Sequence, residues 1–101
     1  KGTTVFSQGE EGTTMYVVSS GKVELAVDGR AVETVEADGT FGEMSLIDGS
    51  PRSATAVTLE ESELAIIDRR AFVFLVHETP YFALDVMGTL ASRLRRMNSL
   101  L

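Results

Sequence analysis

Asp28-Gly29 lies between the alternating run from Lys22 to Val27 and the run from Arg30 to Val35, and no other short stretch constrains this chain as tightly. A two-residue hairpin turn of this type needs positive φ at both central positions, which Asp tolerates and Gly adopts freely. Two antiparallel strands therefore meet here, with Val23, Leu25 and Val27 sharing one face. Similar punctuation recurs on either side. A short strand from Thr3 to Phe6 runs into the polar, glycine-bounded loop Ser7 to Gly12. A strand from Met15 to Ser19 reaches Ser20-Gly21, and Asp38-Gly39 closes the strand that began at Arg30. Short strands at this spacing predict a sandwich or barrel.

The pattern changes at Phe41. Glu43 to Ile47 predicts about one helical turn, broken by Asp48-Gly49-Ser50-Pro51, where proline sets its own φ and pushes Ser50 towards extended geometry. Strands are expected from Ser53 to Thr58 and from Glu63 to Asp68. In the latter, the unbroken apolar run Leu64-Ala65-Ile66-Ile67 reads as a buried strand. Asp68 then suits the N-cap of a helix from Arg69 to His77, and Thr79-Pro80 starts a second helix running close to the end. Ala83, Met87, Leu90, Leu94, Met97 and Leu101 alternate steps of four and three, a heptad seam along that second helix.

Composition excludes several kinds of chemistry. A chain of 101 residues with 44% hydrophobic residues supports one domain with a modest core. No apolar run is long enough to cross a bilayer, and no basic, apolar leader is present, so neither membrane insertion nor secretion is expected. The first residue is Lys1 rather than Met, as in a fragment of a longer protein. Without cysteine there are no disulfides, thiolate metal sites or cysteine nucleophiles, and the single His77 leaves a metal site poorly supplied. A net charge of −6 argues against direct nucleic-acid contact.

The chemistry of the stretch from Gly42 to Arg52 is more specific. The first N–H groups of a helical turn have no internal partner and favour an anion, and Gly42 lets a ligand approach the backbone closely. Arg52 offers a planar fork for two phosphate oxygens. Glu43 is out of place beside an anion unless the ligand also presents a hydroxyl, because a carboxylate can only accept. Ala54 and Ala56 are small enough to leave room for a flat group. Together these residues suggest a phosphorylated sugar. Each also has a plainer role: a turn for Gly42, a surface salt bridge for Arg52, a helix N-terminal preference for Glu43.

Phe41-Gly42-Glu43-Met44-Ser45-Leu46 followed by Gly49-Ser50-Pro51-Arg52-Ser53-Ala54-Thr55-Ala56 resembles the phosphate-binding cassette of the cyclic nucleotide-binding domain, the cAMP/cGMP receptor family. Gly9, Gly12, Met15-Tyr16-Val17-Val18 and Gly21-Lys22-Val23 extend the resemblance across most of the chain. It implies an α+β, mainly β architecture: an antiparallel β-roll or jelly-roll barrel over about residues 3–68, with a short cassette helix, and C-terminal helices over about 69–101. The expected unit is a single domain, 1–101, lacking an N-terminal helix and an output domain. The implied ligand is cAMP or cGMP, with no metal. By the same resemblance Arg52 pairs with the cyclic phosphate and Glu43 with the ribose 2′-hydroxyl. The amides of Gly42, Glu43, Met44 and Ser45 line the phosphate, and Ser53 adds its amide or hydroxyl. Ser53 stands where some cGMP-selective members carry threonine, which leans towards cAMP.

The implied function is a non-enzymatic regulatory sensor whose C-terminal helices move on ligand binding, attached to an effector domain. Its expected location is the cytoplasm, including the cytosolic part of a membrane protein. The alternative is the ligand-sensing part of a Crp/Fnr-type DNA-binding regulator whose helix-turn-helix lies outside this chain. The heptad seam is either intramolecular core or a homodimer contact. Arg93, Arg95 and Arg96 suit the last turns of a helix, and one of them could stack on a purine. His77 reads as an ordinary helix-end residue rather than a haem ligand. A cupin-like enzyme would need more histidines, and the intact Gly42-Glu43 and Arg52-Ser53 pairs argue against a degenerate, contact-only member.

Overall fold

The computed structural model describes residues 1–99, with side chains as far as Arg96. Its elements run β1 (Thr4–Phe6), β2 (Met15–Ser20), β3 (Val23–Val27), β4 (Arg30–Val35), β5 (Thr40–Phe41), α1 (Glu43–Asp48), β6 (Thr55–Thr58), β7 (Glu63–Ile67), α2 (Arg69–Glu78) and α3 (Pro80–Ser99). The chain divides into two compact units, Lys1–Arg69 and Arg70–Leu101.

In the first unit the strands form two antiparallel sheets, ordered β1-β6-β3-β4 and β5-β2-β7. The expected hairpin is present. Asp28 and Gly29 have φ of 52° and 81°, and Val27 pairs with Arg30 across the turn. The core lies between the sheets because both supply its apolar side chains: Phe6, Val23, Leu25, Val35 and Ala56 from one, Val18 and Phe41 from the other. Three rings bridge the sheets, Phe6 lying 5.8 Å from both Tyr16 and Phe41, and Tyr16 stacked on Phe41 at 5.1 Å. The architecture is the mainly antiparallel β-roll with helices that the cassette resemblance implies.

Several expectations change. Residues 40–41 add a two-residue strand beside β2 that is too short to show a period of two. The strand expected from Ser53 begins at Thr55 instead. The apolar run of β7 is not buried throughout: Ala65 is exposed and Ile66 is 67% exposed. The cause is position, since β7 is an edge strand of its sheet and, among the described residues, pairs with β2 alone. Ala56 is a fully buried core residue opposite Leu25, not an open floor for a ligand.

In the second unit, α3 starts at Pro80 as expected, and Phe72 of α2 meets Phe82 of α3 edge-on at 5.6 Å. The heptad seam is not a buried stripe. Met87 and Leu94 are 57% and 59% exposed, whereas Val86, off the seam, is buried. Phe82, Ala83, Val86, Thr89, Leu90 and Arg93 are the less exposed positions, the pattern of a straight helix with 3.6 residues per turn. The seam members Ala83 and Leu90 therefore lie on the covered face, and Met87 and Leu94 do not. The Met97 side chain and Leu101 lie outside the described residues.

Candidate functional site

Two glycines in left-handed geometry frame the cassette helix. Gly42 (φ 81°) precedes α1 and makes no side-chain capping bond, so no N-cap side chain takes the first-turn amides. Gly49 (φ 72°) ends the helix, its N–H donating to the Ser45 carbonyl at 2.9 Å. Asp48 Oδ1 then accepts from the Ser50 N–H at 2.9 Å, and hydrogen bonding from the Ser50 side chain and backbone holds its carboxyl below the usual carboxylate range. Pro51 follows, and the chain turns back to deliver Arg52 beside the start of α1. At the other end of α1, Arg69 donates from Nε and Nη2 to the Leu46 carbonyl at 3.3 and 2.9 Å. It thereby caps the short helix from the first residue of α2.

Arg52 is the centre of the site. It is only 5% exposed, an unusual state for a permanently charged side chain. The β1–β2 loop holds its backbone: Gly9 N–H donates to the Arg52 carbonyl at 2.7 Å, and Arg52 N–H donates to the Glu10 carbonyl at 2.8 Å. Nη1 donates to the carbonyls of Thr14 (2.7 Å) and Gly42 (3.1 Å), and Nη2 to the Thr14 hydroxyl (3.1 Å). These acceptors are all neutral. Nε is buried without a hydrogen-bond partner. Cζ lies 4.2 Å from the centre of the Phe6 ring and 5.8 Å from that of Tyr16, within cation–π range of both. Burial pushes the guanidinium pKa below its ordinary value, with Tyr16 and Glu10 acting in the opposite direction.

The two glycines nearest Arg52 leave space that a side chain would fill. A Cβ on Gly12 would stand 2.5 Å from Nη2 and 2.7 Å from Nε. One on Gly42 would stand 2.9 Å from Nη1 and 3.3 Å from both the Phe6 ring and the Thr14 carbonyl, in addition to the strain of positive φ. Glu43, the first residue of α1, is 2% exposed, and its burial beside Gly42 goes beyond a helix N-terminal preference. Ser45 is buried; Met44 and Ser53 are exposed, so any contact from Met44 inside the site comes from its backbone.

The fold therefore brings Arg52 to Gly42 at the start of α1, whose first three residues are Glu43, Met44 and Ser45, while Ser53 follows Arg52 in the chain and is exposed. A buried cation with an unsatisfied Nε, a helix start without a capping side chain and a buried carboxylate suit a ligand that carries both an anionic phosphate and a hydroxyl. Arg93, Arg95 and Arg96 lie on α3, and His77 is exposed on α2, all in the second unit. Sequence reasoning passed over Phe6, Tyr16 and Thr14. Two of these are aromatic strand residues indistinguishable from core, and Thr14 resembles any β-branched residue leading into a strand.

The profile of the cyclic nucleotide-binding domain matches residues 1–79. The chain belongs to this family. Among curated relatives of the domain, the CRP-like cAMP-activated global transcriptional regulator of Mycobacterium tuberculosis is 36% identical over 98% of this chain and 46% of its own length. A cAMP-dependent protein kinase regulatory subunit of Mucor circinelloides f. lusitanicus is 44% identical over 68% of this chain and 16% of its own. The crystal structure of the Thermus thermophilus catabolite activator protein superposes with a TM-score of 0.85 at 36% identity, covering 97% of this chain and 48% of that one. The cyclic nucleotide-binding domain described here thus spans about half the length of its regulator relatives. No helix among the described residues is long and apolar enough to cross a membrane.

Proposed function

We propose that this domain is a regulatory module that binds a 3′,5′-cyclic nucleotide, cAMP in particular, and relays occupancy through α2 and α3. The observation that carries this reading is Arg52. A buried guanidinium whose hydrogen bonds among the described residues go to neutral oxygens, with Nε unsatisfied, suits one half of an ion pair whose other half is a phosphate. Glu43 accepts the ribose 2′-hydroxyl, the amides of Gly42, Glu43, Met44 and Ser45 face the phosphate oxygens, and Ser53 adds its amide or hydroxyl. The names of two relatives, a cAMP-activated regulator and a cAMP-dependent kinase subunit, support cAMP over cGMP. So does Ser53.

Arg69 supplies the relay. It joins the Leu46 carbonyl of α1 to the residue at which the chain enters α2, and so ties the cassette helix to the start of that helix. Occupancy changes the output only as far as the ligand binds the two helix arrangements differently. The module acts by binding rather than by catalysis, in the cytoplasm, and its output is carried by an attached effector. Identity to a transcriptional regulator across nearly the whole chain favours a DNA-binding effector. Tyr81, Leu84, Met87 and Leu94 leave an exposed apolar stripe on α3, and a second copy of the chain covers it to form a homodimer. Sedimentation across a concentration series shows a monomer–dimer equilibrium on this account, and monomer at every concentration refutes the dimer.

The Glu43 assignment has its own test. Glu43→Gln retains shape but weakens acceptance of a hydroxyl proton, and 2′-deoxy-cAMP removes the hydroxyl altogether. Each change alone lowers affinity by about tenfold, the order expected for a hydrogen bond to a charged group. Together they lower it little more than either alone. Full additivity in calorimetry would place the 2′-hydroxyl away from Glu43.

A further inference from the structure

We propose that Thr14 is a positioning residue: it orients the Arg52 guanidinium so that one edge is kept for an anion. A guanidinium presents an end-on pair of nitrogens, Nη1 and Nη2, and a side-on pair, Nε and Nη2. Thr14 alone bridges the end-on pair, its carbonyl accepting from Nη1 at 2.7 Å and its hydroxyl from Nη2 at 3.1 Å. The Gly42 carbonyl takes the second Nη1 hydrogen at 3.1 Å. Three of the five N–H groups are thereby committed, and the remaining two sit on Nε and Nη2, the adjoining members of the side-on pair. That pair matches two oxygens of one phosphate.

The Phe6 ring, 4.2 Å from Cζ, limits tilting of the guanidinium plane, but a ring face does not select among rotations within that plane. Only directed acceptors do so, and Thr14 supplies two from one residue. Threonine suits this task better than serine. Its branched Cβ restricts χ1, so the hydroxyl is held in place before a ligand arrives. The backbone carbonyl is present whatever residue stands at 14, so the specific contribution of this side chain is the bond to Nη2, without which the side-on pair turns away.

This role rests on the cyclic nucleotide reading for its consequence but not for its existence, and two measurements separate them. In the free protein, nitrogen-detected NMR of the Arg52 guanidinium should show distinct, slowly exchanging Nη signals in the parent chain and in Thr14→Ser. Those signals should coalesce in the near-isosteric Thr14→Val, with Thr14→Ala as the second variant should valine disturb the strand. Unchanged Arg52 signals in a folded Thr14→Val or Thr14→Ala protein overturn the proposal, whether or not any ligand binds. In calorimetry with cAMP, Thr14→Val should bind roughly tenfold more weakly, Thr14→Ser should recover most of the loss, and in an Arg52→Lys background Thr14→Val should have no further effect. An equal loss in that background overturns the proposal. A parent chain that binds no cAMP refutes the cyclic nucleotide reading while the NMR result still decides the role of Thr14.

Discussion

Arg52→Ala lowers affinity for cAMP by about 2–5 kcal/mol, the range for truncating one member of a buried, hydrogen-bonded charge pair. The loss has two sources. One is the bidentate partner that the phosphate forfeits, and the other is the ligand charge left without a counter-charge. The Thr14 and Gly42 carbonyls lose their shared donor in the free and bound states alike, a cost to stability rather than to affinity. Stability of the free domain changes much less, because the lost hydrogen bonds and the relief of burying a charge oppose each other. Removing the guanidinium also removes a buried charge whose hydrogen bonds go to neutral oxygens. The expected signature in calorimetry and thermal unfolding is therefore a variant that folds and does not bind. Retained tight binding in Arg52→Ala would separate the arginine from the phosphate.

Gly12→Ala also weakens binding, by a different route. Gly12 does not have positive φ, so alanine there carries no backbone strain. What it introduces is a methyl group 2.5 Å from Nη2, 2.7 Å from Nε and 2.8 Å from Cζ, closer than atoms can stand. The crowded atoms are the far end of a flexible side chain, so Arg52 moves and the strands do not. The guanidinium leaves its place over Phe6 and loses its bonds to Thr14 and Gly42. Affinity for cAMP falls tenfold or more, at least about 1.4 kcal/mol, while the unfolding midpoint moves by no more than a few degrees. Gly12→Ala with parental affinity would show that Arg52 binds its anion from another position.

How far these features could be read from residues alone depends on whether their cause is local. The Asp28-Gly29 hairpin was legible because the turn dictates its own dihedral angles, and the short helix between Gly42 and Gly49 was legible for the same reason. The meeting of Arg52 with the start of the cassette helix was legible from the cassette resemblance, and the structure joins the two through the bond from Nη1 to the Gly42 carbonyl. The exposure of Ile66 was not, since an apolar run carries no mark of lying at a sheet edge. The heptad seam left two readings open, intramolecular core or a contact with a second copy, because steps of four and three fit both a coiled-coil stripe and a straight helix. Only burial of Val86 with exposure of Met87 and Leu94 distinguishes them. Thr14 was invisible because its role depends on a partner 38 positions away, reached only once β2 and α1 are assembled.

A ligand that binds only the folded domain also stabilises it. At a hundredfold excess over Kd the gain is about 2.7 kcal/mol, enough to raise the melting temperature of a domain this size by roughly 10 °C or more. That shift gives an independent check on binding and on each variant above.

The most direct measurement is calorimetric titration of the chain with cAMP, cGMP and 5′-AMP side by side. The account predicts saturable binding of cAMP at one site per chain, weaker binding of cGMP, and no comparable heat from 5′-AMP at concentrations that saturate with cAMP. Equal affinity for 5′-AMP and cAMP, or no binding of either cyclic nucleotide, would contradict it.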